Sequence, residues 1–474
     1  MSQAEAGKNE DRRIEVPAAP RGFMLLLALG PGLVWCGEYI GSGEVILSTR
    51  VGALFGTALL WVPVLAIFAK YWIGLAGAHY TVTTGEGMID MMSRMPGPRN
   101  WVIWPVFIGQ VSAGAFSTGA LASVAGVFAA YFIPLPPFIL GWIAVLLVIS
   151  LVWWGKYDPL KHVMSVLVLL IIVGTLTVAY ATWPGLRAIF DGVAGFRIPE
   201  PPAWAATTDR PTSPWLEIMP LLGWAAGGFA SQVWYTYWVM GAGYGMTRGR
   251  DYGQPLDPAV LLAVDSADAQ RLRGWRRVVT VDATTAVLIG ITVTAAFMIA
   301  GAGVLGPLHI APEGPDVAMT LSRIFGERWG IWGAHLFVMA GLAAMLSTML
   351  GQFAGWPRLL SDCARLLIPG VGRWPWKTQF RSVLILYAAS NMIIVYTLGL
   401  KPVFLVQLSA ILDGLLLTPL QALAVGWVLY AVMPRFFSPE VRPSIRAHPV
   451  LALGLALAFV VFGYVCLFQL GQAF

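Results

Sequence analysis

Charged residues are scarce in this chain. Asp, Glu, Lys and Arg make up 11% of its 474 residues, whereas hydrophobic residues make up 58%. A soluble domain carries about a quarter charged residues, so the composition excludes an ordinary soluble protein and predicts an integral membrane protein. Cysteine is also rare. Cys36, Cys363 and Cys466 are odd in number and scattered, so they support neither a disulfide framework nor a zinc site.

Motifs for membrane-bound catalysis are missing as well. The chain has no H-E-x-x-H sequence, no Walker motif and no cluster of cysteine and histidine. The run GAGVLG at 301–306 has the spacing G-x-G-x-x-G. It ends an apolar helix and follows no strand, so it does not predict a dinucleotide site. We therefore expect neither an enzyme nor an organic cofactor.

Long apolar runs are what the chain has in abundance. Runs of 18 or more largely apolar residues recur about eleven times, and a bilayer core of about 30 Å makes such runs spanning helices. We number the predicted spans 1 to 11 in chain order. They cover residues 22–50, 54–79, 100–132, 136–154, 159–183, 215–242, 275–304, 329–355, 379–399, 402–433 and 449–470.

The distribution of Lys and Arg predicts the orientation. Most of them fall in the tail or in loops on the tail's side, so we expect a multi-pass protein of the cell inner (plasma) membrane with a cytoplasmic N-terminus. The net charge of +6 then predicts lipid contact and no nucleic-acid partner. The predicted organisation is a cytoplasmic tail (1–21), a first five-helix repeat (22–183), an extracellular loop (184–214), a second repeat (215–433), and a cytoplasmic loop with helix 11 (434–474).

Two spans contain clustered helix breakers near their middle. Span 1 reads GPGLVWCGEYIGSGE and span 6 reads LLGWAAGGFASQ. Glycine inside a helix costs about 1 kcal/mol relative to alanine, and in lipid each freed backbone group must find a partner. Breaks in the first helix of both five-helix blocks predict an inverted-repeat transporter with its substrate site between them. The alternative is close helix packing by small residues.

Several segments resemble the Nramp family of proton-coupled divalent metal transporters. They are GPG at 30–32 with YI at 39–40, LFGTALLW at 54–61, TVTTGEGMIDM at 81–91, AGLAAMLSTMLGQFAGWPRLL at 340–360 and LVQLSAILDGLLLTPLQAL at 405–423. The resemblance implies an all-α integral membrane protein with the LeuT-type 5+5 inverted repeat, about 11 transmembrane helices, and helices 1 and 6 broken.

The chain departs from this family at the expected metal site. On this register the family's Asp-Pro-Gly-Asn falls on residues 41–44 (GSGE), and its Met-Pro-His falls on residues 229–231 (FAS). The metal-binding aspartate and the soft thioether are therefore replaced, which puts the family's usual substrate in doubt. The IGSG run also resembles the first-helix break of the amino acid, polyamine and organocation superfamily. There, backbone N–H groups at a helix N-terminus bind a carboxylate.

These observations leave more than one hypothesis for the substrate. The first is a small anion, bicarbonate or a carboxylate, coupled to sodium or protons. The second is proton-coupled or uncoupled transport of magnesium or manganese, with Glu44 as the metal ligand. Both imply secondary active transport by alternating access, and an uncoupled channel stays a third. The candidate substrate-binding residues are Gly41, Ser42, Gly43, Glu44, Gly227, Gly228, Phe229, Ala230, Ser231 and Gln232.

Four further residues are candidates for binding a coupling ion: Glu38, Ser347, Thr348 and Asp413. In the LeuT architecture, hydroxyls of helix 8 face helix 1, so the resemblance implies a bound sodium ion near Ser347 and Thr348. The alternative for both is a hydrogen bond to a carbonyl of their own helix. We expect Lys70 in span 2 to extend toward the cytoplasmic interface, and Asp282 in span 7 to pair with a neighbouring arginine.

Overall fold

The computed structural model describes residues 16–41, 43–205, 213–311, 317–398 and 402–472. Every regular element within these ranges is helical. Eight helices are long and apolar enough to cross a membrane, and Pro137–Val152 is a shorter apolar helix. Two further spans each consist of two half-helices. These eleven spans confirm the predicted all-helical membrane fold. Residues 1–15 of the predicted tail, and Ser42, lie outside the described residues.

The broken spans are 1 and 6, as predicted. Span 1 consists of Pro31–Tyr39 and Thr49–Phe55, with a π-helical turn over Gly43–Ser48 before its second half. Span 6 consists of Trp215–Trp224 and Phe229–Gly241. The others are span 2 Trp61–Thr84, span 3 Ile103–Ala130, span 4 Pro137–Val152, span 5 Tyr157–Ala181, span 7 Ser266–Ala300, span 8 Gly330–Leu367, span 9 Trp376–Leu398, span 10 Phe404–Phe436 and span 11 Pro449–Tyr464.

Span 1 begins and ends later than its predicted range of 22–50. Pro31 occupies the start of the helix, where its missing N–H costs nothing. The second half continues to Phe55 because Gly56, with φ of 62°, closes it in a conformation that favours glycine. The apolar run that precedes Pro31 therefore forms only a short helical turn, Met24–Leu27.

Asp282 of span 7 provides the cap that the start of span 1 lacks locally. Its carboxylate accepts hydrogen bonds from the N–H groups of Gly30 at 3.1 Å and Gly32 at 2.6 Å. It also accepts one from the Tyr235 hydroxyl at 3.1 Å. The predicted pairing of Asp282 with an arginine is wrong, because Arg276 instead donates to carbonyls at 444–446.

The two broken spans lie at the centre of the bundle. The first half of span 1 packs against spans 5, 7 and 8 and the second half of span 6, while the first half of span 6 packs against span 10. Spans 4 and 11 lie at the periphery and expose leucines such as Leu146 and Leu453. This arrangement buries the unwound segments and presents apolar side chains where lipid would lie.

We expect Asp282→Ala to destabilise the protein, because two buried N–H groups at the start of span 1 would lose their acceptor. The free energy of unfolding should fall by about 1–3 kcal/mol. Asp282→Asn should cost less because one oxygen remains. Thermal unfolding of the detergent-purified protein measures both. Asp191→Ala is the control, since this side chain is 61% exposed, and a loss equal to that of Asp282→Ala would contradict the capping role.

Candidate functional site

The backbone leaves helical geometry at both breaks. In span 1 the helix ends at Tyr39, and Ile40 adopts φ of −75° and ψ of 84°. In span 6 the helix ends at Trp224, and Ala226 and Gly227 both take positive φ, at 61° and 68°. Positive φ is uncommon for alanine, so the surrounding structure must hold this turn in place.

Gly41 brings the first break against span 8. A Cβ atom at this position would lie 2.0 Å from the Thr348 hydroxyl oxygen, closer than any real Cβ contact. The first break also touches the second, because a Cβ on Gly43 would lie 2.2 Å from the Trp224 ring. Glycine is therefore needed here for close approach of the two breaks and span 8.

Carboxylates of the protein cap both half-helices that follow the breaks. Glu44 folds back so that its Oε2 accepts a hydrogen bond from the Gly41 N–H at 3.0 Å. Asp413 of span 10 accepts one from the Ala230 N–H at 3.0 Å and another from the Gln110 side chain at 2.5 Å. Helix N-termini attract negative charge. The position where we expected a substrate anion at the first break thus holds the carboxylate of Glu44.

Lys70 binds the main-chain carbonyl groups that the second break leaves without N–H partners. Its Nζ donates to the carbonyls of Leu222 at 3.1 Å, Gly223 at 2.6 Å, Ala225 at 3.0 Å and Gly227 at 2.7 Å. The side chain is fully buried. The expectation that Lys70 extends to the membrane interface is therefore wrong, because the carbonyls freed by the break are nearer acceptors than interfacial water.

Glu38 joins the two breaks through a chain of hydrogen bonds. The Trp35 indole donates to the Ser231 hydroxyl at 3.0 Å, and that hydroxyl donates to Glu38 Oε2 at 2.7 Å. The Thr348 hydroxyl donates to the main-chain carbonyl of Glu38 at 2.6 Å. Residues from spans 1, 6 and 8 thus meet at Glu38, through its carboxylate and its main-chain carbonyl.

A small cavity lies between the breaks, and we call it the central cavity. Two carboxylates, two hydroxyls, an amide, aromatic rings and glycine backbone form its wall. The lining residues are Glu38, Tyr39, Trp224, Gly227, Gly228, Ser231, Trp234, Thr348, Gln352 and Asp413. Among the described residues, no hydrogen bond reaches Glu38 Oε1 or Asp413 Oδ2. These two oxygens are available to a ligand.

The structure brings together some of the predicted site residues and places others behind the wall. Six of them line the central cavity: Glu38, Gly227, Gly228, Ser231, Thr348 and Asp413. The others that the structure describes do not: Gly41, Gly43, Glu44, Phe229, Ala230, Gln232 and Ser347. Ser42 lies outside the described residues.

Several residues behind the wall make contacts that support the break. The Gln232 amide donates to the Ala226 carbonyl at 2.9 Å, and the Phe229 carbonyl accepts from Gln421 at 3.0 Å. The Ser347 hydroxyl donates to Ala344 of its own helix at 3.0 Å, which was the alternative considered for it. These contacts fix the shape of the second break and of span 8.

Several residues that build this site were not among the predicted site residues. They are Lys70, Gln110, Tyr39, Trp224, Trp234 and Gln352. A polar residue in the interior of a membrane helix is expensive and therefore a functional candidate. That signal was present at Lys70, Gln110 and Gln352. The aromatic residues carried no comparable signal, because aromatic side chains are common in membrane helices.

Buried ion pairs join different helices away from the central cavity. Near the end of span 1, Arg50 pairs with Glu217 of span 6 at 2.9 Å. In the short helix Met88–Ser93 that follows span 2, Asp90 pairs with Arg365 of span 8 at 2.6 Å, and Arg365 also pairs with Asp362 at 2.8 Å. All five side chains are at most 13% exposed.

Parts of the chain are similar in sequence to known proteins. The family described as natural resistance-associated macrophage protein-like matches residues 32–223. An uncharacterized protein of Pasteurella multocida is 26% identical over 152 residues, 32% of this chain and 34% of that protein. The divalent metal cation transporter MntH of Yersinia enterocolitica is 31% identical over 94 residues, 20% of this chain and 23% of that protein. The matched stretch thus spans about a third or less of these relatives.

The fold agrees over a much larger part of the chain. A manganese transporter of Eremococcus coleocola superposes with a TM-score of 0.65 over 94% of this chain and 88% of that one, at 15% identity. The chain is a multi-pass membrane protein with the LeuT fold. Residues 32–223 resemble the Nramp family, in agreement with the resemblance inferred from the sequence.

We expect Gly41→Ala to destabilise the protein, because the added methyl group must displace Thr348 from its bond with Glu38. Overpacking of this kind costs about 1–3 kcal/mol. Gly463→Ala is the matched control, since no atom lies within 4 Å of its Cβ position and alanine favours the helix. Thermal unfolding of both variants tests the close approach. Equal stability of the two would contradict it.

Proposed function

We propose that the protein transports a hard divalent cation, magnesium or manganese, by alternating access, with the cation bound in the central cavity. The observation that carries this proposal is the charge of the cavity. Its wall contains the carboxylates of Glu38 and Asp413, each with one oxygen that accepts no hydrogen bond from a described residue. The nearest ammonium, that of Lys70, is already surrounded by four carbonyls.

Because these carboxylates are buried, their charge favours cations over anions. A buried carboxylate without a partner is costly, and an attracting cation removes most of that cost. Glu44 adds a third carboxylate close behind the wall, where it contacts the Gly41 N–H. In their ionised forms, three acids and one ammonium leave an excess of negative charge between the breaks. An excess of this sign attracts cations and repels anions.

The ligand chemistry favours a hard cation. Besides the two carboxylates, the wall offers the hydroxyl oxygens of Ser231 and Thr348. Oxygen ligands suit magnesium and manganese, whereas thioether and thiolate suit softer metals. Within the described residues no three acidic, histidine or cysteine side chains are placed to hold one metal ion together, so a bound ion would take its remaining ligands from hydroxyl, carbonyl or water oxygens. The names of the Yersinia and Eremococcus proteins agree with a divalent metal as cargo.

The proposed transport cycle moves spans 1, 2, 6 and 7 against the others. The Arg50–Glu217 pair and the Arg365 pairs would open in turn, one toward each side of the inner membrane. The N-terminus would lie in the cytoplasm. A sodium ion or a proton is the proposed coupling ion, and the Glu38 carbonyl with the Thr348 hydroxyl is the candidate sodium site.

A small anion, bicarbonate or a carboxylate, is the second candidate. The observation that favours it is the polarity of the breaks, where half-helix N-termini face the cavity region and an ammonium lies nearby. An anion would have to displace Glu44 or Asp413 from the N–H group that each contacts. Because no such displacement is needed for a cation, we consider the anion the weaker candidate.

The test is isotope uptake into proteoliposomes that contain the purified protein. We expect uptake of manganese or magnesium and none of bicarbonate. Glu38→Gln and Asp413→Asn should each reduce metal uptake about tenfold or more, because a charged ligand is lost from a buried site. Glu440→Gln, on an exposed loop, should leave uptake unchanged.

Two outcomes would contradict the cation proposal. One is bicarbonate uptake that persists when metals are removed with a chelator. The other is metal uptake that is insensitive to both cavity carboxylates. Comparison of uptake with and without a sodium gradient, and with and without a pH gradient, identifies the coupling ion in the same preparation.

A further inference from the structure

The carbonyl group cluster at the second break is built like an ion-binding site. The helix stops at Trp224, so the carbonyls of Leu222 and Gly223 lose the N–H partners that a continued helix would provide. The positive φ values of Ala226 and Gly227 then direct two more carbonyls toward the same point. Such oxygens must find a donor or a cation, because no lipid group can hydrogen-bond them.

The geometry around Lys70 is that of a cation among ligands. Its nitrogen lies 2.6–3.1 Å from four carbonyl oxygens, although an ammonium has only three N–H donors. The cluster therefore supplies more acceptors than the side chain can use individually. These distances are mostly longer than the 2.3–2.6 Å typical of calcium, so the site suits ammonium and larger monovalent ions better than small divalent ones.

The surroundings also fit a positive charge. The Phe462 ring lies 5.2 Å from the nitrogen, within the range of a cation–π contact. The side chain reaches this point from span 2 without any exposure.

We propose that the Lys70 ammonium is a tethered cation that permanently occupies a monovalent-cation site made of the carbonyls of Leu222, Gly223, Ala225 and Gly227. It determines specificity by denying this site to free cations, so that cargo is confined to the central cavity. Lys70 is a positioning residue: it holds the second break in shape and does not contact cargo. The inference goes beyond the proposed function and holds for either cargo.

The test is chemical rescue. Lys70→Ala removes the ammonium and leaves room for a free ion, whereas Lys70→Met removes the charge and fills the space. Apparent unfolding temperatures of the purified full chain are measured without cargo, in choline chloride and then with ammonium, methylammonium, potassium or sodium chloride. We expect ammonium or methylammonium to raise the unfolding temperature of Lys70→Ala saturably, by about 2 °C or more. Wild type and Lys70→Met should show no such response.

If Lys70→Ala is too unstable in choline chloride for an unfolding temperature to be measured, the yield of folded protein after purification is measured instead. Lys70→Ala is also solubilised and purified with methylammonium present throughout, and the monodisperse fraction is compared with that obtained without it. An increase in recovery that Lys70→Met does not share supports the tethered cation. For a variant that is stable in choline, equal responses of Lys70→Ala and wild type to every cation overturn it; for a variant too unstable to measure there, no gain in recovery overturns it. Because no cargo is present, failure of metal uptake leaves this result unaffected.

Discussion

The structure depends on hydrogen-bond partners for the backbone N–H and carbonyl groups that two helix breaks leave unpaired inside a membrane. Each break exposes N–H groups at one half-helix and carbonyls at the other, and lipid can satisfy neither. The chain resolves this with its own charges. Glu44 and Asp413 accept from the N–H groups of Gly41 and Ala230, while Lys70 donates to the carbonyls before Phe229.

These resident charges restrict where cargo can bind. Backbone carbonyls of the second break could bind a cation only if they were free. Here an ammonium occupies them, and the available oxygens belong to Glu38 and Asp413 on the other side of the break. A change of ligand set within a retained fold is expected, since the function of a protein resides in its site. The fold agreement over 94% of the chain at 15% identity is consistent with that view.

The fold could largely be predicted from the sequence, and the site only in part. Clustered glycines, long apolar runs and the positions of Lys and Arg are local signals, so the breaks and the eleven spans could be inferred. Asp413 was a candidate as an acid inside a membrane helix, and Ser231 because it lies at the second break on the register of the resemblance. The acceptors of Lys70 are main-chain carbonyls 152–157 residues away, which leave no trace in side-chain identity. The capping of span 1 by Asp282 is similarly a product of packing between distant helices.

The decisive measurement is the position of bound manganese, located by anomalous scattering from crystals of the full chain grown with the metal. We expect one anomalous peak in the central cavity, within coordination distance of Glu38 and Asp413, with Lys70 still surrounded by its four carbonyls. A peak at those carbonyls with Lys70 displaced would rule out cargo binding in the central cavity. So would an anion at the Gly41 N–H group with Glu44 turned away and no metal in the cavity.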